Sequence, residues 1–118
     1  GKWEGLIKPK IQTSQKEFKA VTSYELNKVS EDGLKSIIKL MPITGKTHQI
    51  RIHLSQNRLP IIGDKTYGDF RFNRFIKKNM NINRLMLHCE STRLIYDLEG
   101  KKYEFYSKAE LPKEFFLL

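Results

Sequence analysis

Residues 18 to 29, FKAVTSYELNKV, alternate between two kinds of side chain. Phe18, Ala20, Thr22, Tyr24 and Leu26 share one face, and Lys19, Ser23, Glu25 and Asn27 the other. Period two with β-branched and aromatic content predicts a strand. Ser30-Glu31-Asp32-Gly33 reads as a turn, and residues 34 to 41, LKSIIKLM, as a returning strand. A second antiparallel hairpin is expected from residues 92 to 98 and 102 to 107, joined at Glu99-Gly100. Pro112 can open a short terminal helix, with Phe115, Phe116 and Leu118 to dock it.

Between the hairpins lies GKTHQIRIH, residues 45 to 53. Ile50, Ile52 and Leu54 alternate like a strand, yet Ile50 and Leu54 are also one helical turn apart, so periodicity alone leaves both open. The break at Thr44-Gly45 and a capping residue at Thr47 favour a helix over about 48 to 57, ended before Pro60. GDKTYGDFRF then supplies Gly63 and Gly68 for tight loops. Strands, then helix and loops, then strands predict an α+β domain over residues 1–118, mainly antiparallel sheet with a few flanking helices.

Charge narrows the class of partner. Lys plus Arg is 22 and Asp plus Glu 13, a formal charge of +9 on 118 residues. The excess is dispersed along the chain, which points to a broad basic face and makes nucleic acid the first partner to consider. One cysteine, Cys89, excludes an internal disulfide and a four-cysteine zinc site, and is expected as a small half-buried side chain in a reducing compartment. No apolar run approaches the roughly 20 residues of a membrane span, and no signal-peptide pattern opens the chain. A cytoplasmic protein without membrane contact is the expectation. The opening GKWEG, without Met, reads as cut from something longer, and residues 34 to 41 and 84 to 98 are apolar enough to want a covering segment.

Spacing tests the chemistry. A phosphate-binding GxxxxGK[ST] loop would require glycine at position 40, which is Leu40, and Pro42 interrupts it. His48 and His53 are five apart, about 140° around a helix, and His88 and Cys89 are neighbours that diverge on a strand, so no metal site is expected. His53 and His88 read as hydrogen-bonded side chains beside the core. A polynucleotide site fits better. Lys46, Thr47 and a helix start can hold an anion, and Arg51, one turn on, can reach a phosphate or a carboxylate. Lys8, Lys10, Lys65, Arg71, Arg74, Lys77, Lys78 and Arg84 can extend the basic surface. Phe70, Phe72 and Phe75 can stack on bases or, the commoner case, pack in the core.

The string TGKTHQIRIHLSQNRLPIIGDKTYGD resembles a segment of the ribosomal large subunit family of pseudouridine synthases, whose usual form is T-G-R-T-H-Q-I-R-x-H, then P-I-x-G-D and Y-G. INRLMLHCESTRLIY resembles that family's R-L-x-L-H-A block, and GKW and AVTSYEL match in order. The resemblance implies a cofactor-free isomerisation of uridine in ribosomal RNA, in which the base leaves C1′, turns and is rejoined through carbon. It implies a catalytic aspartate in an Arg-Leu-Asp motif, a nearby tyrosine, and an arginine that pairs with the aspartate. None of Asp32, Asp64, Asp69 or Asp97 stands in such a motif. The aspartate and tyrosine are expected upstream of Gly1, in the other half of the same protein. Tyr24 and Tyr67 match other, structural positions.

By the resemblance the arginine is Arg51, pairing with an aspartate absent from this chain and otherwise tolerable only if exposed. Lys46, Thr47, His48, Gln49 and Arg84 are the expected RNA-binding residues; Lys46 stands where arginine is usual and loses the bidentate fork. Cys89 replaces an alanine. The reading is the C-terminal part of a pseudouridine synthase catalytic domain, inactive alone, with no cofactor. Its rivals are a non-catalytic basic RNA-binding module and a structural fragment.

Overall fold

The alternation along residues 18 to 29 is realised as the central strand of a three-stranded sheet. The computed structural model describes residues 1–10 and 17–117, which group into two compact units, residues 1–86 and 87–117. In the first unit β1 (Lys2–Ile7), β2 (Phe18–Val29) and β3 (Ser36–Pro42) pair antiparallel in that order. The registers run from Lys2↔Ser23 to Ile7↔Phe18 and from Thr22↔Pro42 to Val29↔Ser36, with a slip between Leu26 and Lys28. The β2–β3 turn is held by Asp32, whose Oδ1 accepts from Leu34 N at 3.0 Å and whose Oδ2 pairs with Lys35 Nζ at 3.0 Å. Leu34 and Lys35 therefore belong to the turn, and β3 starts at Ser36.

The ambiguous stretch is helical: α1 covers Gln49–Gln56. Its buried residues are Gln49, Ile52, His53 and Leu54, the i, i+3, i+4 spacing of one helical face. This face packs on β1, β2 and β3, and Ile7, Ala20, Ile52 and Tyr67 make a core cluster flanked by Phe18. The strand face expected from alternation is buried at Ala20 and Thr22, half-buried at Phe18 and Tyr24, and exposed at Leu26. Asn57 is the C-cap and Arg58 takes a left-handed φ of 59°, letting Leu59 N return to Leu54 O at 2.8 Å. Helix α1 thus closes before Pro60 is reached.

A second helix, α2 (Phe70–Met80), follows where only loops were expected. Asp69 caps it, accepting from Phe72 N at 3.0 Å, and Asn81 ends it in the left-handed region. The apolar spacing Phe72, Ile76, Met80 marks its inner side, with Ile76 fully buried. That spacing and the capping Asp69 were the available sequence signal.

The second unit holds the hairpin of β4 (Ser91–Leu98) and β5 (Lys101–Lys108). Glu99 and Gly100 both have positive φ, 51° and 80°, which is the two-residue type I′ turn that matches strand twist. Tyr96 stacks on Tyr103 and Arg93 pairs with Glu104 at 2.6 Å. A 3₁₀ turn, Lys113–Phe116, follows Pro112. Phe115 lies edge-on to His88, while Phe116 is exposed and does not dock; Leu118 lies outside the described residues. His88 reaches Ala109 O at 3.2 Å. Cys89, expected half-buried, is exposed. The architecture is α+β with antiparallel sheets and two α-helices among the described residues. None of those helices is long and apolar enough to cross a membrane.

Candidate active site

The loop before α1 is built around Gln49. Its side chain is buried, and every amide atom is used: Oε1 accepts from Lys46 N (3.1 Å) and Thr44 Oγ1 (2.6 Å), and Nε2 donates to Val21 O (2.8 Å) and Thr22 Oγ1 (2.9 Å). A backbone N–H can only donate, so Lys46 N fixes the orientation of the amide. Thr22 Oγ1, having accepted from Gln49, also shares a hydrogen bond of 2.7 Å with His53 Nδ1. The buried Nε2 on the other side of the His53 ring has no partner among the described residues. Burial holds the imidazole below its usual pKa, so it is neutral.

This arrangement corrects one expectation. Gln49 does not face RNA; its hydrogen-bonding capacity is consumed in tying the loop to β2. Thr47 is not the helix cap either. His48 occupies that position, in the left-handed region at φ 54°, and caps with no side-chain bond. Its ring instead bonds Tyr67 Oη at 3.1 Å and stands edge-on to the tyrosine. Burial, and then the neighbouring Arg51 charge, lower its pKa against the opposing pull of Asp64. Lys46 and Thr47 are exposed, Lys46 with its ammonium 5.6 Å from the Phe18 ring centre. Arg84 is exposed, and its Nε donates to the adjacent Leu85 O at 3.3 Å. Of the six expected site residues, Lys46 to Arg51 share the loop and first turn of α1, and the Arg84 backbone packs over Gly63, beside Asp64.

The unexpected member is Asp64. Arg51 is not left without a carboxylate in this chain. Its Nε donates to Asp64 Oδ2 and its Nη2 to Asp64 Oδ1, both at 2.8 Å. Oδ1 also accepts from Thr66 N at 2.9 Å and Tyr67 N at 3.0 Å. Burial pushes the carboxyl up, but the Arg51 fork and the two backbone N–H groups outweigh it and hold its pKa at about 2. Asp64 hydrogen bonding pushes the guanidinium further up. The aspartate side chain is wholly buried and the arginine side chain 19% exposed, so the pair is shielded except on one side of the guanidinium. The Tyr67 ring lies 5.1 Å from the guanidinium carbon, and Tyr67 Oη accepts from Lys10 N at 2.9 Å.

Two glycines make the Asp64 loop possible. Gly63 has φ +83°, and a Cβ there would stand 1.8 Å from Arg84 O. A Cβ on Gly68 would stand 2.2 Å from Asp64 O. Asn73 of α2 closes the loop, accepting from Gly63 N at 2.9 Å and donating to Asp64 O at 3.1 Å. The G-D and Y-G elements are thus the scaffold of one ion pair.

The comparisons with known proteins bear on the same segment. No family model matches the chain. It is 34% identical to ribosomal large subunit pseudouridine synthase C of Buchnera aphidicola subsp. Baizongia pistaciae, over 86% of this chain and 36% of that protein. The corresponding enzyme of Buchnera aphidicola subsp. Acyrthosiphon pisum is 40% identical over 68% of this chain and 25% of its own length. By sequence, the chain is similar to part of the pseudouridine synthases named C. A tRNA pseudouridine synthase C of Yersinia pestis is 38% identical over 65% of this chain and 30% of its own length. The match therefore spans about a third, or less, of these synthases. Asp64 is the site residue that sequence reasoning missed. Its signal was its place in the G-D element, thirteen residues after Arg51.

Proposed function

We propose that this chain is the C-terminal part of the catalytic domain of an RNA pseudouridine synthase that acts in the cytoplasm on large-subunit ribosomal RNA. In the reaction the C1′–N1 bond of uridine breaks, C1′–C5 forms, and the C5 proton is lost as N1 gains one. The observation that carries the reading is the Arg51–Asp64 fork. A guanidinium has five N–H donors in a fixed plane, and Asp64 takes two. The Nη1 edge is left for a second carboxylate, the catalytic aspartate of the upstream half. Asp64 then acts as a positioning residue, and Arg51 reaches the incoming carboxylate already oriented.

The chain's own aspartates support its inactivity when isolated. Asp64 is locked in the ion pair, Asp69 caps α2, Asp32 holds a turn, and Asp97 lies on the exposed β4 strand. The upstream half also accounts for the second unit. Leu94, Ile95, Leu98, Phe105 and Tyr106 are all exposed on a two-stranded hairpin, too small an element to be stable with its apolar side chains in water. We assign that surface to burial against the rest of the protein.

The test is tritium release from uridine-labelled transcripts. The complete protein is expected to release tritium from large-subunit ribosomal RNA and not from a tRNA pool, and residues 1–118 alone to release none. Release by the isolated chain would refute the division of roles, and release from tRNA alone would transfer the substrate to the other class of relative. The non-catalytic reading has its own support in the exposed cations. It requires that the complete protein bind RNA and leave every uridine unchanged.

A further inference from the structure

We infer that the outward face of α2 is a docking surface for single-stranded RNA, with Phe70 and Phe75 as stacking platforms and the cations between them as phosphate contacts. The inference rests on the proposed action on RNA but concerns a surface separate from the Arg51–Asp64 pair. Helix α2 runs FRFNRFIKKNM, with two arginines, two lysines and no acidic residue. Each residue advances about 100° around the axis. Phe70, Arg74, Lys78, Arg71 and Phe75 therefore follow one another across an arc of about 140°, cations in the middle and a phenylalanine at each edge.

Both flanking rings are half in water: Phe70 is 52% and Phe75 54% exposed. Their exposure is not a failure of the helix to find a core, because the opposite side already has one in Ile76, Phe72 and Met80. Among the described residues no carboxylate pairs with Arg71, Arg74 or Lys78. Asn73 ties the helix to the Asp64 loop through Gly63 N and Asp64 O, so the surface is rigidly attached to the candidate active site. Aromatic faces beside unpaired cations on a positively charged chain suit a strand whose bases are splayed and whose phosphates are continuous.

An anionic lipid surface shares part of this chemistry. A helix lying in a membrane turns its apolar side to lipid and its cations away. Here the apolar side is turned into the protein, and the exposed rings stand on the same arc as the cations. The geometry favours RNA.

The complete protein carrying F70L and F75L is to be compared with the parent and with an R71Q/R74Q variant by fluorescence anisotropy on a labelled single-stranded oligouridine. Vesicles of phosphatidylserine in phosphatidylcholine serve as the second probe. The leucines keep apolar contact and remove the rings, so affinity is expected to fall about tenfold or more with the salt slope unchanged. The glutamines are expected to lower the slope of log affinity against log salt by about 1.4. Because all four positions are exposed, the melting temperature serves as a control on folding. Affinity within twofold of the parent in both variants would overturn the proposal, as would vesicle binding that the leucines abolish while oligouridine binding persists. If the parent isomerises no uridine yet the ring variant loses oligouridine, the surface stands and the enzymatic reading falls. If the parent is active and both variants bind normally, only the surface falls.

Discussion

Arg51 and Asp64 behave as one object. Two parallel N–H···O bonds and a carboxylate anchored by backbone N–H groups leave the guanidinium little rotational freedom. Asp64→Asn keeps the volume and removes the charge, stranding a largely buried cation. We expect it to destabilise the protein by about 3 kcal/mol, read from urea unfolding, and to reduce turnover in the complete protein alongside. An unchanged urea midpoint would mean that the pair does not form. Protonation makes a second prediction. His53 and Asp64 both have folded pKa values below their unfolded ones, so the unfolded chain binds more protons and stability must fall as pH falls. Histidine acts first, below about pH 6.5, and Asp64 follows as pH drops from about 4 toward 2. In a pH series of urea midpoints, His53→Gln is expected to shrink the first step, leaving the share of His48, whose pKa is also lowered, and to spare the second.

Among the elements, loops carry the sharpest contrasts. Gly63 is hemmed in by Arg84 O and strained for any side chain, whereas the space around Gly45 is open and its φ ordinary. Gly63→Ala is expected to cost about 2 kcal/mol or more by urea unfolding, and Gly45→Ala less than about 0.5 kcal/mol. Equal effects would contradict the packing of the Asp64 loop. Both hairpins were legible in the sequence because local chemistry sets them: Asp32 closes one turn and Glu99-Gly100 the other. Helix α2 was not, because its glycine-rich lead-in reads as loop and its phenylalanines do not keep to one side. Asp69→Ala, which removes its cap, is expected to lower stability by about 1 kcal/mol.

At the scale of the molecule, the sequence told more about chemistry than about partnership within the site. Arg51 could be picked out from its motif, and its orientation on α1 follows from a one-turn offset. That Asp64 fills its fork could not be read, because the contact spans thirteen residues and depends on how the Gly63 and Gly68 turns bring the loop back. Gln49 was misjudged for a related reason: a polar residue beside a lysine reads as surface until the sheet beneath it is known. Each compact unit exposes apolar side chains, and the chain spans about a third, or less, of the synthases it matches. Arg51 is proposed to serve the reaction and not only the binding of RNA. The most direct test of that role is Arg51→Ala in the complete protein, with tritium release and RNA affinity measured on the same preparation. Turnover is expected to fall at least about 100-fold, in line with loss of a preorganised charged donor, while affinity changes less than about threefold. Retained turnover with weakened binding would contradict the account.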